Sequence, residues 1–234
     1  MKTKNKVYAI IPARGGSKRI PKKNIKFFYG KPMIAWSILA AKKSKLFDDI
    51  IVSTDNIKIA KIAKKFGAKV PFLRPKKISD DFTDTRTVIA HAIKWIEKKN
   101  IKPNAICCIY ATAPFIDYRD LLKGYKKLLT KKSKYVFSAS YFPFSIFRSF
   151  MLNKNSIKMF FPNKFQKRSQ DLPNNFFDAG MFYWAKPKQW LKKEKIFNKD
   201  SFPLLIERLR VNDIDTITDW KNAEKLAKVY LKQK

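Results

Sequence analysis

Short apolar runs alternate with amphipathic stretches along the chain, and this alternation sets the expected order of elements. Val7 to Ile11 is a continuous apolar run that reads as a buried strand. It leads into a glycine and lysine loop from Pro12 to Asn24, before a helix opening near Pro32. Asp49 to Thr54 repeats the apolar pattern, followed by a helix from about Asn56 to Phe66 that Gly67 stops, and by a third strand over Lys69 to Leu73. Within Thr83 to Lys99, Val88, Ala92, Ile93 and Ile96 fall at helical spacing, with Thr83 or Thr85 as the candidate cap. Ala105 to Ala111 is again continuously apolar, Tyr118 to Leu129 predicts a helix, and Tyr135 to Ala139 a strand.

Strands alternating with helices predict βαβ units, hence an α/β fold with a mostly parallel sheet covered on both faces. In such sheets ligands sit at the carboxyl ends of the strands. From Tyr141 to Phe177 the pattern becomes aromatic, proline-punctuated and aperiodic, which predicts an inserted arm of short strands at about 141–178. Alternation resumes at Gly180 to Trp184, a helix follows near Lys188, and Ile217 to Leu231 reads as an amphipathic terminal helix. No repeat or low-complexity linker interrupts the chain, so a single domain carrying an insertion is expected over its 234 residues.

Composition changes this picture mainly through charge. With 45% hydrophobic and 15% aromatic residues the chain can bury a core. Lys and Arg number 52 against 18 Asp and Glu, a formal net charge of +34. Such an excess invites a nucleic-acid reading. Lysines are, however, spread over every segment from Lys2 to Lys234 rather than gathered in one patch. A genome-wide bias towards lysine produces the same dispersal, so the excess is consistent with a polyanionic substrate without being diagnostic of one, and nucleic acid is a remote alternative partner. Cys107 and Cys108 are neighbours on a predicted strand, which argues against a disulfide framework and for buried thiols. No run approaches the roughly 18 apolar residues of a membrane span. The apolar run from Val7 is broken at Pro12 and Arg14, too short for the core of a signal peptide, so a cytoplasmic protein is expected.

The candidate chemistry is concentrated in the loop Ala13-Arg14-Gly15-Gly16-Ser17-Lys18-Arg19-Ile20-Pro21-Lys22-Lys23-Asn24. Following the first strand, it lies over a carboxyl edge, where backbone N–H groups and cations can meet phosphate. Neither the Walker A pattern nor the dinucleotide Gly-x-Gly-x-x-Gly is present. Near the other end, Asp213 and Asp215 are two residues apart. In an extended segment their carboxylates share a side and suit one hard cation, whereas in a turn they would cap the helix that follows.

The stretch Ile11 to Lys18, with Lys23-Asn24 behind it and Gly30-Lys31-Pro32 opening the helix, resembles the signature of the CMP-sialic acid synthetase family. Ser53-Thr54-Asp55, Leu73-Arg74-Pro75, Tyr110-Ala111-Thr112-Ala113-Pro114-Phe115, Arg168-Ser169-Gln170-Asp171-Leu172 and Asp213-Ile214-Asp215-Thr216 follow in the family's order, so the resemblance spans essentially the whole chain. Around Cys107 to Phe115 and Asp178 to Trp184 the sequence is most similar to the members that use pseudaminic acid.

The resemblance implies a Rossmann-like, GT-A-like nucleotidyltransferase fold and a magnesium-dependent reaction. The anomeric hydroxyl of a nine-carbon nonulosonic acid, pseudaminic acid first, attacks the α-phosphorus of CTP and expels pyrophosphate. N-acetylneuraminate, legionaminate and 3-deoxy-manno-octulosonate are the alternative sugars. Arg14, Gly16, Ser17, Lys18, Lys23 and Asn24 match nucleotide-holding positions, Arg74 one beside the cytosine, and Lys18, Arg14 and Asp213 the catalytic set. Asp213 and Asp215 match the magnesium ligands. Tyr110, Thr112, Arg168, Gln170 and Asp178 match the sugar site, with Arg168 expected on the sugar carboxylate. Tyr110 replaces the glutamine of sialic acid synthetases, removing an amide able to bond a sugar substituent. The arm implies a homodimer in which it reaches the partner's site, with Phe142, Phe144, Phe147 and Phe150 expected as its exposed aromatics. His91, inside a predicted helix, and the two cysteines are expected to be structural.

Overall fold

The structure, a computed structural model, describes residues 5–130 and 133–231. Its strands are β1 (Val7–Pro12), β2 (Phe27–Phe28), β3 (Lys31–Pro32), β4 (Asp49–Ser53), β5 (Ala105–Ile109), β6 (Tyr135–Tyr141), β7 (Phe150–Asn153), β8 (Ser156–Met159), β9 (Phe176–Ala185) and β10 (Ser201–Leu205). Its α-helices are α1 (Met33–Ser44), α2 (Ile57–Lys65), α3 (Thr85–Glu97), α4 (Tyr118–Thr130), α5 (Pro187–Leu191) and α6 (Ile217–Tyr230). Six strands form the central sheet in the order β10-β6-β9-β5-β1-β4.

Side-chain alternation explains why the inner strands read as unbroken apolar runs. Val7, Ala9 and Ile11 of β1, with Ala105, Cys107 and Ile109 of β5, pack on one face against α1, α2 and α4. Tyr8, Ile10, Ile106 and Cys108 pack on the other, with Ile89, Ile93 and Ile96 of α3 and Trp190 of α5. Cys107 and Cys108 thus point to opposite faces as free, buried thiols, and burial pushes both pKa values up. A third cluster lies apart from the sheet: Ile20 of the loop, Phe28, Trp36, Phe115 and Ile214 pack with Trp220 and Ala223 of α6.

β1 pairs in parallel with β4 and β5, and β10 with β6, as the βαβ pattern requires. β9 runs antiparallel to both β5 and β6. The reason is local: the chain leaves β6 at Tyr141, traverses the arm, and returns at Phe176 directly opposite Tyr141, so β6 and β9 form a hairpin whose loop is the arm. The register slips between Phe137 and Ala139. At this bulge Gly180 takes a left-handed φ of 59°, and the Ser138 hydroxyl repairs the ladder by accepting from the backbone N–H groups of Met181 and Phe182, each at 3.1 Å.

Three local expectations are corrected. Lys69 to Leu73 makes only two isolated parallel bridges, Ile51 to Lys69 and Thr54 to Leu73, because Pro71 between them has no N–H to donate. The cap of α3 is Asp84, whose side chain accepts from the Thr87 N–H at 2.8 Å, and not Thr83 or Thr85. In the arm, β7 and β8 form an exposed hairpin that bears Phe150, while Phe142 and Phe144 are exposed beside it. Phe147 is instead half-buried, packing edge-on against Phe161. None of the helices among the described residues is long and apolar enough to cross a membrane.

Gly124 of α4 allows the helix to lie close to the sheet. A Cβ there would sit 2.8 Å from Cδ1 of Trp184, an indole stacked on Phe47 and flanked by Tyr125. Alanine gains about 1 kcal/mol in helical preference over glycine, but the forced overlap costs ~1–3 kcal/mol. Gly124→Ala is therefore expected to lower the urea unfolding midpoint. An unchanged or higher midpoint would show that Trp184 gives way without cost.

Candidate active site

The loop after β1 is held from below by a set of backbone bonds. Ala13 N–H donates to Ser53 O at 2.9 Å, and Gly15 N–H donates to the Asp55 carboxylate at 2.8 Å. Gly15 lies so close to Asn56 that a Cβ would come within 2.8 Å of the amide nitrogen, so only glycine fits. The Asn24 side chain donates to Arg14 O at 2.9 Å, closing the loop on itself. Ile20, at the loop's tip, is buried in the third cluster. A strand end, a helix start and a buried anchor thereby fix the loop at the carboxyl edge of the sheet.

Above it opens a cavity of about 490 Å3, bordered by Arg14, Ser17, Lys18, Lys23, Asn24 and Arg74. These are the nucleotide residues expected from the sequence, with Gly16 outside the lining. Arg74 is 5% exposed, and burial lowers the pKa of its guanidinium. Its Nε and Nη2 have no hydrogen-bond partner among the described residues, leaving N–H donors for a ligand. Arg14 and Lys18 both pair with Asp81, Lys18 at 2.7 Å. Lys18, and then Arg14, hold the Asp81 carboxyl below the ordinary carboxylate range.

A second cavity of about 390 Å3 adjoins the first, and Tyr110 and Thr112 border both. Tyr110 is fixed at each end. Its N–H donates to Met181 O at 2.9 Å, its carbonyl accepts from Ser37 at 2.8 Å, and its hydroxyl lies 3.1 Å from that of Thr85. Burial pushes its phenol up to about 12, so it is neutral at physiological pH. Asp178 borders the second cavity and accepts from the Tyr183 hydroxyl at 2.6 Å and the Gly180 N–H at 3.0 Å, an arrangement the β9 bulge creates.

The two aspartates stand where this cavity meets the loop. Asp213 borders the second cavity, while Asp215 pairs with Arg19 at 2.8 Å and Lys23 at 3.1 Å. Partial burial, and then Asp215, raise the pKa of Asp213. Capping of α6 falls to others: Thr216 and Asp219 form a reciprocal capping box. Asp213 and Asp215 are thus free of the capping role that their spacing also allowed. Lys23 additionally donates to Ile214 O at 2.7 Å, tying the two ends of the chain together at the site.

Arg168 and Gln170 are not brought to either cavity of their own chain. They sit in the exposed arm, with Arg168 paired to Asp171 at 2.9 Å. His91 lies outside both cavities, its ring edge-on to Phe72 and its pKa lowered by burial. Sequence reasoning passed over Asp81, Arg19, Thr85 and Arg208, of which Arg208 borders the second cavity. Asp81 had one signal: Asp80-Asp81 is an acidic doublet in a chain with 18 acidic residues against 52 basic ones.

A basic loop on parallel strand ends, a buried guanidinium with unused donors and an adjoining second cavity define a site that joins a nucleoside polyphosphate to another molecule. The profile of the family described as Cytidylyltransferase matches residues 8–234. The chain is 43% identical over 221 residues to a pseudaminic acid cytidylyltransferase of Campylobacter jejuni, covering 94% of this chain and 95% of that one. It is 31% identical to a CMP-N,N'-diacetyllegionaminic acid synthase of Legionella pneumophila, covering 94% and 96%. In structure it matches a CMP:2-keto-3-deoxy-manno-octonic acid synthetase complexed with CTP, with a TM-score of 0.70 at 15% identity over 96% of this chain and 99% of the other. It also matches a cytidylyltransferase of Leptospira borgpetersenii, with a TM-score of 0.61 at 19% identity over 97% and 88%. The chain belongs to the cytidylyltransferase family, and its fold is the nucleotidyltransferase fold.

Asp81 neutralises Arg14 and Lys18, two cations of the first cavity. Removing the Asp81 charge would free both cations for an anionic ligand. Asp81→Asn is expected to strengthen CTP binding by about 2- to 5-fold in isothermal titration calorimetry. Weaker binding would show that Asp81 helps to hold the nucleotide.

Proposed function

We propose that this protein transfers CMP from CTP to the anomeric hydroxyl of pseudaminic acid and releases pyrophosphate. The observation that carries the reading is the pair of adjoining cavities meeting at Tyr110 and Thr112, one lined by loop cations and the buried Arg74, the other by polar groups of β9 and the Asp213 segment. The identity to pseudaminic acid cytidylyltransferases over nearly the full length of both chains supports the choice of sugar.

In this reading Arg14, Ser17, Lys18 and Lys23 hold the triphosphate, and Gly16 gives the backbone room beside it. Lys18, with its side chain 81% exposed and its ammonium able to exchange Asp81 for phosphate, neutralises charge that grows on the phosphates as the bond to pyrophosphate loosens. The free donors of Arg74 meet acceptors of the cytosine. Asn24 acts through the loop by fixing the Arg14 carbonyl. In the second cavity Tyr110, Thr112 and Asp178 contact the sugar, and the neutral Tyr110 offers a hydroxyl where sialic acid synthetases carry an amide.

Magnesium is the metal that this chemistry asks for, and Asp213 and Asp215 would hold it. No group of three or more metal-ligating side chains gathers among the described residues. Two carboxylates nonetheless suit an ion that commonly takes one or two of them together with phosphate oxygens and water. Partial burial, and then Asp215, raise the pKa of Asp213, and a cation held by the pair would favour its ionised form. Bound in that position, the ion would supply charge neutralisation at the phosphates. The arm, with Phe144 83% exposed and Leu152 75% exposed, is the surface by which two copies would pair and by which Arg168 and Gln170 would reach the partner's sugar cavity.

Lys18→Ala and Asp213→Ala are each expected to reduce kcat by about 100-fold or more in a pyrophosphate-release assay with the fold retained by circular dichroism. Activity persisting in both variants would refute the assigned site. Tyr110→Gln is expected to shift preference from pseudaminate towards N-acetylneuraminate while leaving CTP binding intact. An unchanged preference would remove Tyr110 from the choice of sugar.

A further inference from the structure

The sugar in the proposed reaction is an acid, yet the cavity that would receive it is lined by two carboxylates, those of Asp178 and Asp213. A third carboxylate entering such a space would be repelled unless a cation met it. Among the residues bordering this cavity, Arg208 is the single cation. Arg168, which the sequence resemblance puts on the sugar carboxylate, is held by Asp171 in the exposed arm of this chain and would reach such a cavity only in a second copy.

The geometry around Arg208 is that of a presented guanidinium. Its Nη1 donates to Val211 O at 3.1 Å, and its plane lies over the Phe177 ring with the guanidinium carbon 5.3 Å from the centroid. One contact comes from the segment leading to Asp213 and the other from the start of β9. Among the described residues they use one of five N–H donors and no carboxylate. The group is oriented in advance, with donors left for a planar, two-oxygen acceptor.

We infer that Arg208 is the specificity-determining residue that binds the substrate carboxylate in the chain's own second cavity. The inference rests on the proposed transfer to an acidic sugar and adds which side chain reads the acid. It also gives the adjoining Asp213 a fixed neighbour, since one short turn, Arg208–Arg210, carries the guanidinium while Val211 leads on to the aspartate.

The test compares pseudaminic acid with its C1 carboxamide as acceptors, using the purified full chain with CTP and magnesium. Wild-type protein is expected to prefer the acid by about 100-fold in kcat/KM, a preference that Arg208→Gln cuts to within about 3-fold while the KM for CTP stays unchanged. Arg208→Lys, a point charge without the fork, is expected to fall between the two. Full preference for the acid in Arg208→Gln would overturn the inference and leave the transfer reaction standing. Should that variant not fold, full preference in Arg208→Lys overturns it equally. Wild-type protein that turns over neither compound overturns the substrate reading itself, and the inference falls with it.

Discussion

The site depends on one burial: Ile20 of the loop and Ile214 of the aspartate segment share an apolar cluster with Phe28, Phe115 and Trp220. Ile20 and Ile214 lie far apart in the chain, and the bond from Lys23 to the Ile214 carbonyl spans 191 positions. An exposed loop of lysines would have no reason to hold one conformation against its own repulsion, and a short acidic segment would have none either. The hydrophobic contact orders both, and the pairing of Asp215 with Arg19 and Lys23 then follows at little further cost in entropy. Helix α6 is amphipathic for the same reason: its buried face, with Trp220, Ala223 and Ala227, is the wall on which the two charged segments meet.

A second constraint shapes the other cavity. Because the arm is the loop of the β6–β9 hairpin, β9 must return antiparallel in the middle of an otherwise parallel sheet, and the slipped register takes up the mismatch. The bulge turns Asp178 and Gly180 towards the space beside Tyr110. The same hairpin that sends an apolar arm outwards therefore builds the wall of the second cavity, so that in the proposed reading sugar recognition and self-association would share one insertion. The large positive charge needs no separate partner in this picture. Its lysines are dispersed along the chain, and among the described residues only the loop cations and Arg74 border the first cavity and only Arg208 the second.

Much of this was legible in the sequence, for identifiable reasons. The strands buried on both faces announce themselves as the apolar runs Val7 to Ile11 and Ala105 to Ala111, and the helices by their spacing, to within one or two residues. The residues expected at the nucleotide lie on one contiguous loop, so the resemblance carried by that loop pointed to Arg14, Ser17, Lys18, Lys23 and Asn24, all of which border the first cavity. What was not legible depends on contacts distant in sequence. Lys69 to Leu73 has a strand's composition, but Pro71 interrupts its ladder. Arg208 and Asp81 are single charges among many, and nothing periodic or clustered distinguishes a side chain that lines a cavity from one that faces water. Arg168 and Gln170 carry the family's pattern, yet within one chain the exposed arm keeps them away from both cavities.

The central claim is that two adjoining cavities couple CTP to an acidic nine-carbon sugar. It is tested most directly by measuring pyrophosphate released from CTP and magnesium when pseudaminate, legionaminate, N-acetylneuraminate and 3-deoxy-manno-octulosonate are offered separately to the purified protein. The account predicts rapid release with pseudaminate and little with the other three. Release with another sugar in preference to pseudaminate would contradict the assignment of the second cavity, and no release with any of the four would contradict the transferase reading as a whole.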